Sequence, residues 1–175
     1  MTRIGLLSDT HGSIHPRVFD FFKDCDIIIH AGDIGDEKTL KQLQQFKPLF
    51  AVYGNIDGSN IRIQLPEIQE FKIEDIKIFM IHIGGYPRKY ARGIKEKLKL
   101  NKPDLFISGH SHILKIMHDK PLGILHINPG AAGSHGLHQK ITFVRFAIDK
   151  AKILDMEIME IDRKAVSISN DQPNE

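Results

Sequence analysis

The sequence predicts an α/β fold, and three observations predict it. Short apolar runs alternate with amphipathic segments through the first half, the texture changes to short strands and turns after residue 112, and five polar signatures stand immediately beyond five of the apolar runs. Arg3–Ser8 reads as a buried strand, and Pro16–Asp24 as a helix with Pro16 in its first turn and Val18, Phe19, Phe21 and Phe22 as its apolar positions. Asp26–His30 is predicted as the second strand, Asp36–Phe46 as the second helix and Leu49–Tyr53 as the third strand. Ile68–Ile73 and Ile76–Ile81 read as a hairpin turning at Glu74-Asp75, Arg88–Leu100 as a basic amphipathic helix, and Leu105–Ser108 as a further strand. Ile113–His118, Ile124–Ile127, Ile141–Ile148 and Ile153–Ile161 complete the strands. A single domain over residues 1–162 is expected, with a polar tail over 163–175.

The bulk composition narrows the function. A chain of 175 residues can bury a substantial core without covalent staples. Its formal charge of +2 gives no reason to expect nucleic acid or an anionic membrane as partner. The single Cys25 excludes an internal disulfide and a cysteine-built zinc cage, in keeping with a reducing compartment. No apolar run approaches the roughly 20 residues of a membrane-spanning helix, and the start lacks the basic region and cleavage site of a signal peptide. A cytoplasmic location is expected. Histidine is the unusual count, at ten.

Those histidines fall among acids, glycines and an asparagine at the ends of apolar runs. Leu6-Leu7-Ser8 leads into Asp9-Thr10-His11, Ile27–His30 into Gly32-Asp33, and Ala51-Val52-Tyr53 into Gly54-Asn55-Ile56-Asp57. Phe79-Met80-Ile81 leads into His82, and Phe106-Ile107-Ser108 into Gly109-His110-Ser111-His112. Open α/β sheets bind ligands beyond the carboxyl ends of their strands, so all five signatures are expected on one rim. Asp9 with His11, and His110 with His112, are two apart, a spacing that puts both side chains on one face if the backbone stays extended. Asp9, Asp33, Asn55, His11, His82, His110 and His112 together offer two negative charges, so two divalent cations among them would keep a surplus of about +2. Two dications some 4 Å apart repel by about 16 kcal/mol at an effective dielectric of 20, which a bridging carboxylate, with Asp33 as the candidate, would offset. Four imidazoles point away from magnesium and calcium and toward manganese, iron, zinc, cobalt or nickel.

In this order the signatures resemble those of the calcineurin-like binuclear metallophosphoesterases, and the short length is similar to the small prokaryotic YfcE-type phosphodiesterases. The resemblance runs from Arg3 to about Ile161. It implies a four-layer αββα sandwich, two mixed β-sheets packed together and flanked by helices. It implies one metal held by Asp9, His11, Asp33 and His112, a second held by Asp33, Asn55, His82 and His110, and manganese foremost among the candidates. It also implies in-line attack on phosphorus by a metal-bridging hydroxide without a phosphoenzyme, Asp57 orienting a neighbouring ligand, a small phosphate-ester substrate, and a homo-oligomer. Many relatives carry a histidine, which helps protonate the leaving group, where this chain has Ile56, and Ile83 stands between His82 and the Gly84-Gly85 pair. General-acid help is worth about 10²–10⁴-fold, so Ile56 predicts slow turnover or substrates with good leaving groups.

Taken singly, each signature has a plainer reading. Asp9 and Asp33 suit turns, Gly54-Asn55 suits a left-handed turn, and strand-end histidines are often solvated; five in series favour the metal centre. His30 and His126 read as hydrogen-bonded core residues, His135 and His138 as loop residues with proton donation or phosphate contact as the alternative, and Arg88 or Arg92 as a minor candidate for steering phosphate. Asn128-Pro129-Gly130-Ala131 reads as a structural turn. A phosphodiesterase leads, with a monoesterase of the same site second and a non-catalytic scaffold on the same fold third. A nuclease is disfavoured by the near-neutral charge.

Overall fold

The computed structural model describes residues 1–134 and 139–163. Two five-stranded mixed sheets pack face to face, with helices on their outer faces. The first sheet runs β12 (Lys152–Asp162), β11 (Lys140–Asp149), β1 (Thr2–Leu7), β2 (Ile27–His30), β3 (Leu49–Ala51); the second runs β4 (Ile68–Ile73), β5 (Ile76–Ile81), β8 (Leu105–Ile107), β10 (Ile124–Pro129), β9 (Leu114–Asp119). In each sheet three strands are parallel, β1, β2 and β3 in one and β5, β8 and β10 in the other. Their carboxyl ends carry the five signatures and Asn128.

Side-chain alternation along these strands builds the layers. Ile4, Leu6 and Ile29 from the first sheet meet Ile78, Met80, Leu105, Ile107 and Ile127 from the second in the central core. The opposite parity of the first sheet, Leu7 and Ile28, packs with Phe143 against Val18 and Phe22 of α1 (Arg17–Phe22) and Leu43 of α2 (Glu37–Phe46). In α2 the Asp36 side chain caps the first turn by accepting from the Thr39 N–H at 2.7 Å. On the far side, Phe79 and Phe106 pack against Ile94 and Leu98 of α4 (Ile94–Asn101). No helix among the described residues is long and apolar enough to cross a membrane.

Two regions differ from the sequence expectation. The segment expected as one helix over Arg88–Leu100 is a small hairpin, β6 (Gly85–Tyr86) with β7 (Lys89–Tyr90), followed by α4, which starts only at Ile94. Arg88 sits at the hairpin turn with φ 77° and Gly93 precedes α4 with φ 78°, left-handed conformations that no helix interior contains. Arg88, Lys89 and Arg92 therefore do not share a helical face. The short α3 (Ser59–Arg62) follows the Gly-Asn signature in a stretch without helical periodicity, too brief to leave a pattern.

His30 ends β2 fully buried, and its hydrogen bonds define its tautomer. The Gly32 N–H donates to Nδ1 at 3.2 Å, so Nε2 carries the proton and donates to Thr10 Oγ1 at 3.0 Å, whose hydroxyl donates in turn to the Ile34 carbonyl. Burial lowers the His30 pKa from 6.5 to about 4, against the raising effect of nearby acids. The neutral form is thus favoured by folding. Its stabilisation is complete above the unfolded pKa of 6.5 and is lost as pH falls from there toward about 4, amounting to about 3 kcal/mol at 1.36 kcal/mol per unit. Urea denaturation of the metal-free protein is expected to show this loss between those pH values, with a shallower slope in His30→Asn.

Candidate metal centre

Four of the five strands stop one or two residues short of their signatures, His82 follows β5 directly, and the chain then turns sharply. Asp9 (φ 55°), His11 (47°), Asp33 (55°), His110 (68°) and His112 (57°) all adopt left-handed backbone. The convergence of each i, i+2 pair was expected from extended backbone; it arises instead from two left-handed residues per loop, with Thr10 or Ser111 between them. Asp and His tolerate this region better than most side chains, at a cost of order 1 kcal/mol each. Backbone hydrogen bonds hold the loops in place: Asp9 N–H to the Gly32 carbonyl, His11 N–H to Asp33, and Gly109 N–H to His82, all between 2.9 and 3.0 Å.

The loops approach each other as closely as backbone allows. A Cβ on Gly54 would overlap the Asp33 carboxylate, and one on Gly109 would overlap the Ser8 hydroxyl and stand 3.0 Å from Asp9 Oδ2. Glycine at these two positions is what lets Asn55 and His110 reach the acids.

Both buried carboxylates are divided between two tasks. Asp9 Oδ2 accepts from Ser8 Oγ at 2.6 Å and from the His110 N–H at 3.1 Å, while Oδ1 has no hydrogen-bond partner. His112 Nε2 lies 3.2 Å from that oxygen, and the Nε2 atoms of His11 and His82 lie 3.9 Å from it. Asp33 Oδ1 accepts from the Ile56 N–H at 3.0 Å, while Oδ2 faces His82 Nε2 at 3.2 Å and His11 Nε2 at 3.6 Å. Asp33 thus stands between two donor groups, Asp9 with His11 and His112, and Asp33 with His82 and His110; within each, the candidate ligand atoms lie within 4.8 Å of one another. Asn55 joins the second group, its Oδ1 3.1 Å from His82 Nε2. All seven side chains expected at the centre are brought together.

Hydrogen bonding tests whether this cluster suits a cation. The Ala31 carbonyl lies 2.8 Å from His82 Nδ1 and can only accept, so Nδ1 carries the proton and Nε2 presents its lone pair. That lone pair meets a carboxylate oxygen of Asp33 and the Asn55 amide oxygen, an arrangement of acceptors with no donor among them. His11 Nε2 and Asp9 Oδ1 are buried and unpartnered in the same space. A positive charge is what such a space lacks. In the metal-free protein a proton partly fills the need. Burial alone would lower His82, but the Asp33 and Asp9 carboxylates outweigh it and raise its pKa; the Asp9 contact raises His112 likewise. Burial would raise Asp33, yet His82 and the Ile56 N–H hold it below the usual carboxylate range.

Asp57 does not face the cluster. It accepts from the N–H groups of Gly35 (2.7 Å), Gly54 (2.8 Å) and Ile34 (3.2 Å), tying the Gly32-Asp33 loop to the Gly54-Asn55 loop. Two further supports are absent from the sequence expectation. Arg62 on α3 donates to the carbonyls of Asp57, Gly54 and Asn55 while stacking over Tyr53, which clamps the asparagine loop. Asn128 Nδ2 donates to the Gly109 carbonyl at 2.7 Å and to Ser111 Oγ at 3.0 Å, while its Oδ1 accepts from Gly130, so the expected structural turn also steadies the two-histidine loop. An Asn-Pro-Gly run at a strand end was the available signal. His126 is buried with Nδ1 against the Phe106 carbonyl, in line with a core role. His135 and His138 lie outside the described residues.

Comparison with known proteins agrees with this geometry. The profile of the calcineurin-like phosphoesterase superfamily domain matches residues 2–151. A probable metallophosphoesterase of Methanocaldococcus jannaschii is 39% identical over 137 residues, covering 73% of this chain and 67% of that protein. One of Methanothermobacter thermautotrophicus is 33% identical over 135 residues, covering 73% and 76%. In fold the chain is similar to the zinc-complexed Vps29 of Entamoeba histolytica, with a TM-score of 0.69 at 18% identity over 92% of this chain and 99% of that one. The chain belongs to the calcineurin-like phosphoesterase superfamily.

Proposed function

We propose that the chain is a binuclear metal-dependent phosphodiesterase acting on small organic diesters, with residues 1–162 as its single catalytic domain and the cytoplasm as its compartment. The observation that carries this reading is the acceptor-only pocket in which Asp33 stands between two groups of donors. We assign Asp9, His11, Asp33 and His112 to one ion and Asp33, Asn55, His82 and His110 to the other. The oxygen and imidazole donors suit manganese foremost, and iron, zinc, cobalt or nickel as well. Such ions would supply Lewis acidity toward the phosphoryl oxygens and a water acidic enough to act as nucleophile near neutral pH.

The chain's own residues do the rest. Ser8 and the His110 N–H hold one oxygen of Asp9 so that the other is free, and the Ile56 N–H does the same for Asp33. The Ala31 carbonyl aims His82 Nε2 inward. Two carboxylates among seven donors leave a cationic centre, which binds and orients an anionic phosphate ester. No serine or cysteine nucleophile is required. A monoesterase would use the same site; the diester reading rests on the similarity to the small YfcE-type phosphodiesterases, and Ile56, standing where many relatives place a proton donor, favours substrates with good leaving groups. A scaffold would have no use for buried acceptor atoms kept clear of hydrogen bonds.

Asp33→Asn is expected to lower both metal content, read by mass spectrometry, and metal-dependent hydrolysis of bis-p-nitrophenyl phosphate. The loss should exceed the roughly 10–100-fold typical of residues that only orient a ligand; unchanged metal and rate would remove Asp33 from the shared position. Asp57→Ala is expected to fall within that range of weakened metal affinity, because the two loops lose their common anchor. Wild-type affinity in that variant would show that Asp57 does not position the centre. Chelation followed by manganese re-addition separates enzyme from scaffold, since only the enzyme recovers a rate.

A further inference from the structure

Three isoleucines follow three of the assigned ligands directly. Ile56 after Asn55, Ile83 after His82 and Ile113 after His112 are 45%, 43% and 61% exposed, among the few large apolar side chains on the described surface. Ile83 also lines two separate clefts. One, of about 200 Å³, contains Tyr53, Asn55, Arg62, Glu67 and His82; the other, of about 190 Å³, contains Tyr86, His110, Ser111, Lys115 and His126. Each cleft thus begins at a side chain of the second donor group, and Ile83 is the wall between them.

The clefts differ in charge. In the first, Arg62 is committed to three backbone carbonyls and the Tyr53 ring, while Glu67 forms no ion pair among the described residues. That cleft sets one fixed guanidinium against one exposed carboxylate and carries no net positive charge, so it offers an anionic arm no attraction. In the second, Lys115 lies over the Tyr86 ring, 3.4 Å from its centroid, and buried His126 keeps Nε2 without a partner.

On the phosphodiesterase reading, we infer that the two clefts beside Ile83 receive the two ester arms of the substrate, and that the arm beside Tyr53 and Glu67 is uncharged and apolar. A diester has two arms for the two clefts, whereas a monoester leaves one empty. Apolar contact at Ile83 gives each arm a surface that phosphate alone cannot use.

The test is titration calorimetry on the manganese-loaded full chain, with inorganic phosphate as the armless probe and diphenylphosphinate as a two-armed analogue without ester bonds. Ile83→Asn is expected to weaken diphenylphosphinate about tenfold, the scale of a modest apolar contact, and phosphate less than about twofold. Bis(4-carboxyphenyl)phosphinate must place one carboxylate beside Glu67, and is expected to bind about tenfold more weakly than diphenylphosphinate, a gap that Glu67→Gln narrows. Equal losses for phosphate and diphenylphosphinate in Ile83→Asn, or no loss for either, would overturn the two-cleft assignment. Failure of wild type to bind diphenylphosphinate while binding phosphate overturns it too, leaving the phosphoesterase reading intact. If manganese itself does not bind, both fall. Thermal melts of Ile83→Asn should match wild type, since the side chain is nearly half exposed.

Discussion

The constraint on which the structure turns is the gathering of hydrogen-bond acceptors that have no donor among them. Two carboxylate oxygens, an amide oxygen and imidazole lone pairs face one another across 3.1–3.9 Å at the rim of a dry core. Left alone, such atoms would turn to water or to backbone N–H groups, since burying an unsatisfied acceptor costs about 1–3 kcal/mol. Here their other bonds prevent it. Asp9 and Asp33 each spend one oxygen on Ser8 or backbone N–H groups, and His82 spends Nδ1 on Ala31. What remains of these three side chains points inward because their other polar atoms are already bonded.

That arrangement needs rigid supports from both sheets. Five left-handed residues cost together about 5 kcal/mol, comparable with the whole margin of stability of an ordinary domain. Loops could not sustain this alone. The signatures instead extend strands whose inner faces form the interface between the sheets, with Ile29 and Ala31 flanking His30 and with Ile107 preceding the Gly109 loop. Displacing one loop would expose part of that interface. Asp57, Arg62 and Asn128 then fasten loops to loops across the rim, so strain at one position is resisted by packing at several others.

The strands and the clustering of the candidate donors were legible in the sequence, because both depend on local composition. Apolar runs such as Ile27–His30 and Phe79–Ile81 admit few other structures, and a polar residue after each run has little choice but the rim. Conformation within the signatures was less legible. The two-residue spacing of Asp9 and His11 is the same for extended or left-handed backbone, and only the hydrogen bonds to Gly32 and Asp33 decide between them. The misread helix over Arg88–Leu100 has the same origin: the apolar spacing of Ile94 and Leu98 was extended backwards past Gly93, although a left-handed glycine had already ended the hairpin there. Arg62 left no signal at all, since its work depends on carbonyls that converge only after the chain has turned. The roles of His30 and His126 followed from burial, which their place in apolar runs foretold.

Position 56 shows how this site separates geometry from chemistry. Its backbone N–H holds Asp33 in place, so the loop needs a residue there but no particular side chain. Many relatives use that freedom for a histidine, as the resemblance implies; this chain has an exposed isoleucine. The donor cluster is therefore indifferent to the exchange, while proton delivery to the departing oxygen is not. An alcohol that leaves as a poor anion would hold back the reaction, and one with an acidic hydroxyl would not. Position 56 supplies no proton, and the apolar contact comes from Ile83, which lines both clefts. The proposed substrate follows from the pair of effects: an ester whose arm is bound through its apolar surface and departs without protonation.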